Sequence, residues 1–179
     1  MKEGDKIMMN SIIWPEKYMP GTTDNYVSNE VIIPNLTAEE VWPLLDDATK
    51  WPTYYENASD IHFYNIPGPT LSEGARFKFT TFGLLVEAEV VEYVAPTEGK
   101  PARIAWHGWC DGTEEEKLDV HHAWLIENLE GGRVRVLTQE TQIGKPAQNM
   151  AVEKPNPMLN AHQDWLDGLV KATIEGKSK

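Results

Sequence analysis

Residues 121–141, with the sequence HHAWLIENLEGGRVRVLTQET, have the pattern of two β-strands joined by a tight turn. Apolar and polar side chains alternate on both sides of Gly131 and Gly132, and a period of two is typical of a strand with two unlike faces. Glycine tolerates the positive φ angles that a hairpin turn needs. Arginine is costly to bury, so we expect Arg133 and Arg135 on the outer face. The pattern therefore predicts a β-hairpin whose other face is turned towards the interior.

The predicted inner face of this hairpin changes from apolar near the turn to polar at its far end. Antiparallel pairing places Trp124 near Val136 and His122 near Thr138, and Glu140 follows on the same face. A strand that only fills a core is not expected to end in a histidine, a threonine and a glutamate. The far end of the hairpin is therefore where we first expect a binding site.

Composition excludes several classes of function. The chain has 179 residues, enough for one domain with a sizeable core, and a formal net charge of -12. Nucleic acids and anionic membranes attract clustered cations, so this balance argues against both as partners. The single cysteine, Cys110, excludes an internal disulfide framework. Neither a signal-peptide core nor a run of about 20 apolar residues is visible, so we expect a cytoplasmic protein.

The chain divides into an extension and one domain. Residues 1–24 are polar and proline-bearing, and are predicted to be an N-terminal extension. Two interpretations of this extension stay open: a loosely packed arm, or a strap in which Trp14 and Tyr18 fold back onto the body. Residues 25–176 are predicted to form the domain, and no internal repeat or change of composition divides them further.

Periodicity predicts seven strands, two short helices after the first strand, and one long C-terminal helix. Thr37 and Glu40 form a capping box that starts the first helix, with Pro43 expected near its first turn. Asn156 and the proline after it start the last helix, which is expected to run to about residue 175 and to be stopped by a glycine. The segment 145–157 is predicted to be a loop. The strands are predicted at 25–33, 59–65, 75–81, 85–94, 103–109 and on the two arms of the hairpin.

Several short motifs, in order along this predicted framework, resemble the START-like (SRPBCC) superfamily. The matching segments cover about residues 25–175 and include EVIIP at 30–34, AEEVW at 38–42, WP at 51–52, EGARF at 73–77 and WLDGL at 165–169. The resemblance implies an α+β helix-grip fold, in which a curved antiparallel sheet of about seven strands wraps around the long C-terminal helix. It also implies a cavity for an apolar ligand between sheet and helix. The superfamily includes polyketide cyclases, birch-pollen-allergen-like proteins and lipid-transfer domains, so the fold does not decide between enzyme and carrier.

The expected cavity wall combines apolar and aromatic side chains with a few polar groups, as ligand pockets do. The alternative is that these aromatic side chains simply fill a core. The candidate ligand-binding residues are Trp51, Tyr55, Phe77, Phe79, Trp106, Trp124, Val136, Thr138, Leu159, His162 and Leu166.

His122 and Glu140 are the candidate catalytic pair. A carboxylate beside an imidazole raises its basicity and suits general acid–base work, such as removing a proton next to a carbonyl. Tyr54 or Tyr55 would then donate a hydrogen bond to the enolate. The alternative is that His122 bonds to the backbone and Glu140 meets solvent.

Cofactors and metals have little support in the sequence. In principle, metal ligands could come from His107, His121, His122, His162 and Glu140. However, His121 and His122 are adjacent on a strand and point to opposite faces, so they do not readily share one ion. Zinc-binding motifs and a glycine-rich phosphate loop are both missing from the sequence. We therefore predict neither a metal nor a cofactor.

The sequence thus predicts a protein that binds a small hydrophobic or aromatic molecule, as a binding or transport protein. The alternative is a polyketide cyclase/aromatase-like enzyme that uses the His122–Glu140 pair. A homodimer is also possible, because exposed edge strands of such a sheet permit pairing.

Overall fold

The computed structural model describes residues 9–178, and its largest element is an open sheet of seven antiparallel strands. The order across the sheet is β1-β7-β6-β5-β4-β3-β2, so only the contact between β1 and β7 joins strands distant in sequence. The predicted α+β helix-grip class is confirmed. The strands are β1 Asn25–Pro34, β2 Ser59–Phe63, β3 Arg76–Thr81, β4 Leu84–Val94, β5 Ala102–Cys110, β6 Leu118–Leu129 and β7 Arg133–Ile143.

Four α-helices accompany the sheet within the described residues. They are α1 Ala38–Asp46, α2 Trp51–Tyr54, α3 Lys145–Val152 and α4 Pro157–Lys177, with short 3-10 turns at Glu16–Tyr18 and Ala48–Lys50. None of the helices between residues 9 and 178 is long and apolar enough to cross a membrane.

Local capping signals set the starts of two helices. Thr37 and Glu40 form the predicted capping box of α1, and the Asn156 side chain accepts a hydrogen bond from the first turn of α4. Three predictions here were wrong. Pro43 lies inside α1 rather than near its first turn, α3 occupies the predicted loop, and α4 continues past Gly176.

The hairpin of β6 and β7 has the predicted faces but a different register. His122 lies opposite Glu140, and Trp124 lies opposite Thr138, a shift of two residues from the expected pairing. The shift arises because the loop is the three residues 130–132, so Asn128 remains in the strand instead of turning. A shift of two residues keeps every side chain on its face, since the side-chain period of a strand is two.

The inner face of the sheet carries the main core. Helices α1 and α4 pack on it, together with the aromatic side chains of Trp51, Trp106 and Trp165. The indole of Trp51 stacks on that of Trp106 with 5.3 Å between ring centroids. Gly168 lets α4 approach α2 closely: a Cβ there would lie 2.2 Å from the carbonyl oxygen of Tyr54.

The outer face of the sheet is covered by the N-terminal segment. Trp14 and Tyr18 pack on the buried His121 of β6, with ring centroids 5.5 and 5.6 Å away, which is the strap interpretation. Arg135 lies on this outer face as predicted, but the segment buries it, and its charge is paired with Glu127. Residues 1–8 of the predicted extension lie outside the described residues, and the division at residue 24 stays a prediction.

Candidate functional site

A cavity of about 390 Å³ lies between the inner face of the sheet and the N-terminal part of α4. Strands β3–β7, helix α3 and the first half of α4 contribute its walls. Because α3 and the β3–β4 hairpin both reach the cavity, its walls come from segments that are far apart in the sequence.

Six of the residues predicted for the site line this cavity. Phe79 and Trp106 come from the strands, and Tyr55 follows α2, where its ring stacks on Trp165 with 4.8 Å between centroids. Burial raises the pKa of the Tyr55 hydroxyl to about 12, so it stays protonated. The six residues are Tyr55, Phe79, Trp106, His122, Glu140 and His162.

The other predicted residues do not line the cavity. Those that do not are Trp51, Tyr54, Phe77, Trp124, Val136, Thr138, Leu159 and Leu166.

Most of these eight side chains belong to the core instead. The indole N–H of Trp51 donates to the Leu45 carbonyl at 2.8 Å, and the Tyr54 hydroxyl donates to the Leu44 carbonyl at 2.7 Å. Tyr54 therefore has no hydroxyl proton to offer a ligand.

Burial and exposure account for the remaining six. Phe77, Trp124, Val136 and Leu166 are fully buried in the core cluster, which continues from the cavity towards the turn of the hairpin. Thr138 is also fully buried, behind His122, while Leu159 is 38% exposed and faces away from the interior.

Sequence reasoning missed the open side of the cavity. Phe82 and Leu84, at the tip of the β3–β4 hairpin, are each 49% exposed and also line the cavity, so they lie where it meets solvent. Met150 of α3 and Met158 of α4 line it too. Two apolar residues around a hairpin turn are a signal that the sequence offers, whereas the prolines and asparagine around Met150 are typical of a loop.

The polar end of the cavity is formed by His122 of β6, Glu140 of β7 and His162 of α4. The Nδ1 atom of His122 lies 3.4 Å from Oε1 of Glu140, and Nε2 of His162 lies 4.0 Å from Oε2. The two imidazole rings are nearly parallel, with 4.4 Å between their centroids. All three side chains are buried. The structure thus brings together a predicted pair and a third predicted residue from a distant helix.

The contacts of the Thr138 hydroxyl favour one tautomer of His122. The hydroxyl lies 3.1 Å from the Ala123 carbonyl and 2.8 Å from the imidazole Nε2, and when it donates its single proton to the carbonyl it accepts from Nε2. This arrangement assigns the ring proton to Nε2. In the neutral ring, the lone pair of Nδ1 then faces Glu140.

A chain of amide side chains leads from the start of α4 to Glu140. The Asn156 oxygen accepts from a backbone N–H, so its amide group must donate to Asn25, at 2.8 Å. Asn25 in turn donates to Gln142 at 2.8 Å, and Gln142 donates to Oε2 of Glu140. The backbone N–H at the start of α4 orients the amide of Asn156, and each amide then orients the next one in the chain. The N–H group of Gln142 therefore always faces Oε2 of Glu140.

Burial shifts the protonation of all three groups towards their neutral forms. Loss of hydration raises the pKa of Glu140 to about 8 and lowers the pKa of His162 to about 3. Burial likewise holds the pKa of His122 well below its usual value. Near neutral pH the site therefore holds a carboxylic acid and two neutral imidazoles, and the acid can donate its proton to Nδ1 of His122.

Comparison with known proteins gives relatives among solved structures only. No protein-family model matches the chain, and neither does any curated protein. A hypothetical protein from Helicobacter pylori is 49% identical, with a TM-score of 0.88, over 93% of this chain and 98% of that one.

Two more distant structures share the fold. The di-domain aromatase/cyclase BexL, from the BE-7585A biosynthetic pathway, is 12% identical with a TM-score of 0.58, over 84% of this chain and 46% of that one. Norcoclaurine synthase from Thalictrum flavum, in complex with dopamine and hydroxybenzaldehyde, is 12% identical with a TM-score of 0.60, over 96% of this chain and 100% of that one. With its seven-stranded antiparallel sheet and its long C-terminal helix, the chain shares the helix-grip fold of these structures, and it belongs to the same family as the hypothetical protein from Helicobacter pylori.

Proposed function

We propose that the protein binds a small hydrophobic or aromatic molecule in the cavity between the sheet and α4. The observation that carries this proposal is the cavity itself, whose volume of about 390 Å³ falls in the range of small-molecule sites. Its walls are mainly apolar and aromatic, and its polar groups converge at one end. A cavity of this kind suits a ligand with an apolar body and one polar group.

The two ends of the cavity indicate how such a ligand would be oriented. Phe79, Trp106 and Trp165 offer ring faces and edges on which an aromatic ring can pack. The polar end offers the carboxyl group of Glu140 and the ring nitrogens of His162, which suit a ligand carbonyl or hydroxyl. We therefore expect the polar group of the ligand to point towards β7 and its apolar body towards the β3–β4 hairpin.

The distant structural relatives support the choice of ligand class. Norcoclaurine synthase was solved with dopamine and hydroxybenzaldehyde, which are both aromatic molecules with polar substituents, and BexL is an aromatase/cyclase. These ligands and activities are those of the relatives, and our proposal takes from them only the class of molecule.

A ligand screen with a cavity-filling variant tests the proposal. Small aromatic alcohols, aldehydes and ketones are screened by thermal shift, because a ligand that binds only the native state raises the melting temperature. Val120 lines the cavity, so Val120→Phe should abolish binding of any molecule found. Val91→Phe, at a surface position that is 44% exposed, is the matched control and should bind like the wild type. Binding that survives Val120→Phe would place the ligand elsewhere and refute the proposal.

A second candidate is acid–base catalysis on the bound molecule, of the kind that a polyketide cyclase requires. It is favoured by one observation: a carboxyl group and an imidazole lone pair face each other on the cavity wall. His162 would take the proton from a carbon next to a carbonyl, and the neutral carboxyl group of Glu140 would turn its single proton from Nδ1 of His122 to the enolate oxygen. Tyr55 replaces Tyr54 as the tyrosine donor, because only Tyr55 lines the cavity.

Exchange of ligand protons for deuterium separates the two candidates. For a ketone found in the screen, an enzyme should speed deuterium incorporation next to the carbonyl, as measured by NMR. Glu140→Gln should lose this exchange while retaining ligand affinity within about tenfold. If the wild-type protein binds the ketone but does not speed deuterium incorporation, the binding function stands and the catalytic candidate is refuted.

A further inference from the structure

Three side chains with metal-ligating atoms meet at the polar end of the cavity. His122, Glu140 and His162 each offer one ligand atom, and these atoms all lie within 4.8 Å of one another. Ligands that share one ion through bonds of about 2.0–2.2 Å lie about 3–4 Å apart. Nδ1 of His122 lies 3.4 Å from one carboxyl oxygen of Glu140 and Nε2 of His162 lies 4.0 Å from the other, so each imidazole is near ligand spacing from the carboxyl group.

The lone pairs of these three side chains repel one another unless a proton or a cation lies between them. The Nδ1 lone pair of His122 faces Oε1 of Glu140, and both are acceptors. His162 adds a further ring nitrogen, Nε2, which lies 4.0 Å from Oε2 of Glu140. A cation would satisfy all of these acceptors at once, whereas a proton satisfies one pair.

Neighbouring residues hydrogen-bond to His122 and Glu140 in the way that metal ligands in proteins are usually hydrogen-bonded. A ligating histidine usually donates its second N–H to a fixed acceptor, and ligating carboxylates are themselves hydrogen-bonded. Nε2 of His122 donates to Thr138 at 2.8 Å, and Gln142 donates to Oε2 of Glu140. These contacts aim Nδ1 of His122 and Oε1 of Glu140 at the same space.

We infer that His122, Glu140 and His162 bind a divalent first-row transition-metal ion at the polar end of the cavity. Two imidazoles and one carboxylate suit Zn²⁺, Fe²⁺ or Co²⁺ better than Ca²⁺ or Mg²⁺, which prefer oxygen ligands. Since all three side chains are on the cavity wall, the remaining coordination positions face the cavity. Water or a polar atom of the organic ligand would fill them. The metal site does not depend on the organic ligand, so either proposal can fail alone.

Metal titration of the untagged, EDTA-treated protein tests this inference. Co²⁺ is added and followed by its visible d–d absorption, and Zn²⁺ is then added in competition. We expect one ion per chain, and a loss of affinity greater than about 100-fold in Glu140→Gln and in His162→Gln. Thr138→Val leaves all three ligands in place but removes the acceptor for His122, together with the hydroxyl bond to the Ala123 carbonyl, and should weaken binding by about 10- to 100-fold. His62→Gln, at an exposed histidine outside the cavity, is the matched control and should bind like the wild type.

Either of two results would overturn the inference. One is a wild-type protein that binds neither ion at micromolar concentrations. The other is binding that persists in Glu140→Gln or His162→Gln, which would assign it to surface histidines. If a ligand variant does not fold, as judged by circular dichroism, Thr138→Val decides: unchanged affinity in that variant overturns the inference, and weakened affinity supports it.

Discussion

The Nδ1 atom of His122 lies 3.4 Å from Oε1 of Glu140, and the bond of the Thr138 hydroxyl to the Ala123 carbonyl favours a lone pair on this nitrogen over a proton. The carboxyl group must therefore supply the proton of this contact, or a cation must take its place. Neither residue alone reveals this, because it follows from the single proton of a hydroxyl on the neighbouring strand. Thr138 is in this sense a positioning residue, although it does not line the cavity.

Replacing Thr138 with valine should disturb both stability and tautomer. The variant leaves Nε2–H of His122 buried without its acceptor, which costs about 1–3 kcal/mol of unfolding free energy. The ring should then populate the Nδ1–H tautomer, which ¹⁵N chemical shifts of the imidazole detect. Thr141→Val is the matched control: it also loses a buried hydroxyl bond, to the Tyr18 carbonyl on the outer face, but should leave the His122 signals unchanged. A wild-type spectrum with the proton on Nδ1 would contradict the assignment.

Cys110 provides a reporter for occupancy of the cavity. Its thiol lines the cavity, and burial together with the nearby Asp111 raises its pKa to about 11. Only the thiolate reacts with iodoacetamide, so at pH 8 the native protein should react at least about 100-fold more slowly than the denatured protein, whose thiol has the ordinary pKa of about 9. The rate should rise about tenfold per pH unit between pH 8 and pH 10, because the thiolate fraction does.

A ligand in the cavity should slow this alkylation further, and Cys110→Ser gives the background for the measurement by mass spectrometry. Rapid alkylation of the native protein at pH 8 would show that the thiol is neither buried nor shifted. Equal rates with and without a bound ligand would place that ligand outside the cavity.

The sequence predicts the framework well because its signals are local. The capping box of Thr37 and Glu40 and the Asn156 cap depend on residues only a few positions apart, and the faces of the hairpin depend on a period of two. The predicted register was wrong, although the faces were not, because a shift of two residues keeps every side chain on its face and is invisible in an alternating pattern. Helix α3 failed because its prolines and asparagine resemble a loop.

The candidate site was predictable only in part because it joins distant segments. His122 and Glu140 share a hairpin, so alternation places them on one face. His162 joins them from α4, 22 positions after Glu140, and no sequence pattern shows that it meets them in space, although all three residues offer atoms that can bind a metal. Nothing in the pattern distinguishes Phe79, which lines the cavity, from Phe77, which is fully buried in the core two residues away. Phe77 packs against Phe63 and Trp106, and these contacts are known only from the folded structure.

Arg135 should contribute to the unfolding free energy mainly by neutralising the buried carboxylate of Glu127. It donates to Glu127 at 2.8 Å, to Glu30 at 2.6 Å and to the Asn10 carbonyl at 2.8 Å, and so ties the N-terminal segment to the outer face. Arg135→Met leaves Glu127 buried without its cation and should cost about 3–5 kcal/mol. Adding Glu127→Gln removes that charge and should restore most of the loss. Urea unfolding of both single variants and the double variant measures the coupling, and strictly additive losses would contradict it.

Two glycines of α4 should respond to alanine in opposite directions. A Cβ at Gly168 would lie 2.2 Å from the Tyr54 carbonyl oxygen, whereas a Cβ at Gly176 has no neighbour within 4 Å. Gly168→Ala must push α4 away from α2, so it should lower the unfolding free energy by about 1–3 kcal/mol. Gly176→Ala adds no steric contact and only reduces the backbone freedom that is lost on folding. It should therefore raise the unfolding free energy by up to about 1 kcal/mol.

Denaturant unfolding measures both changes, and the ligand cavity gives a second readout for Gly168. Tyr55, which follows Tyr54 directly, lies on the cavity wall and stacks on Trp165 of α4. Moving α2 from α4 therefore separates two sides of the cavity, and Gly168→Ala should weaken ligand binding while Gly176→Ala does not. Equal effects of the two substitutions on stability would show that helix propensity, and not the close approach to Tyr54, is what the glycine at 168 contributes.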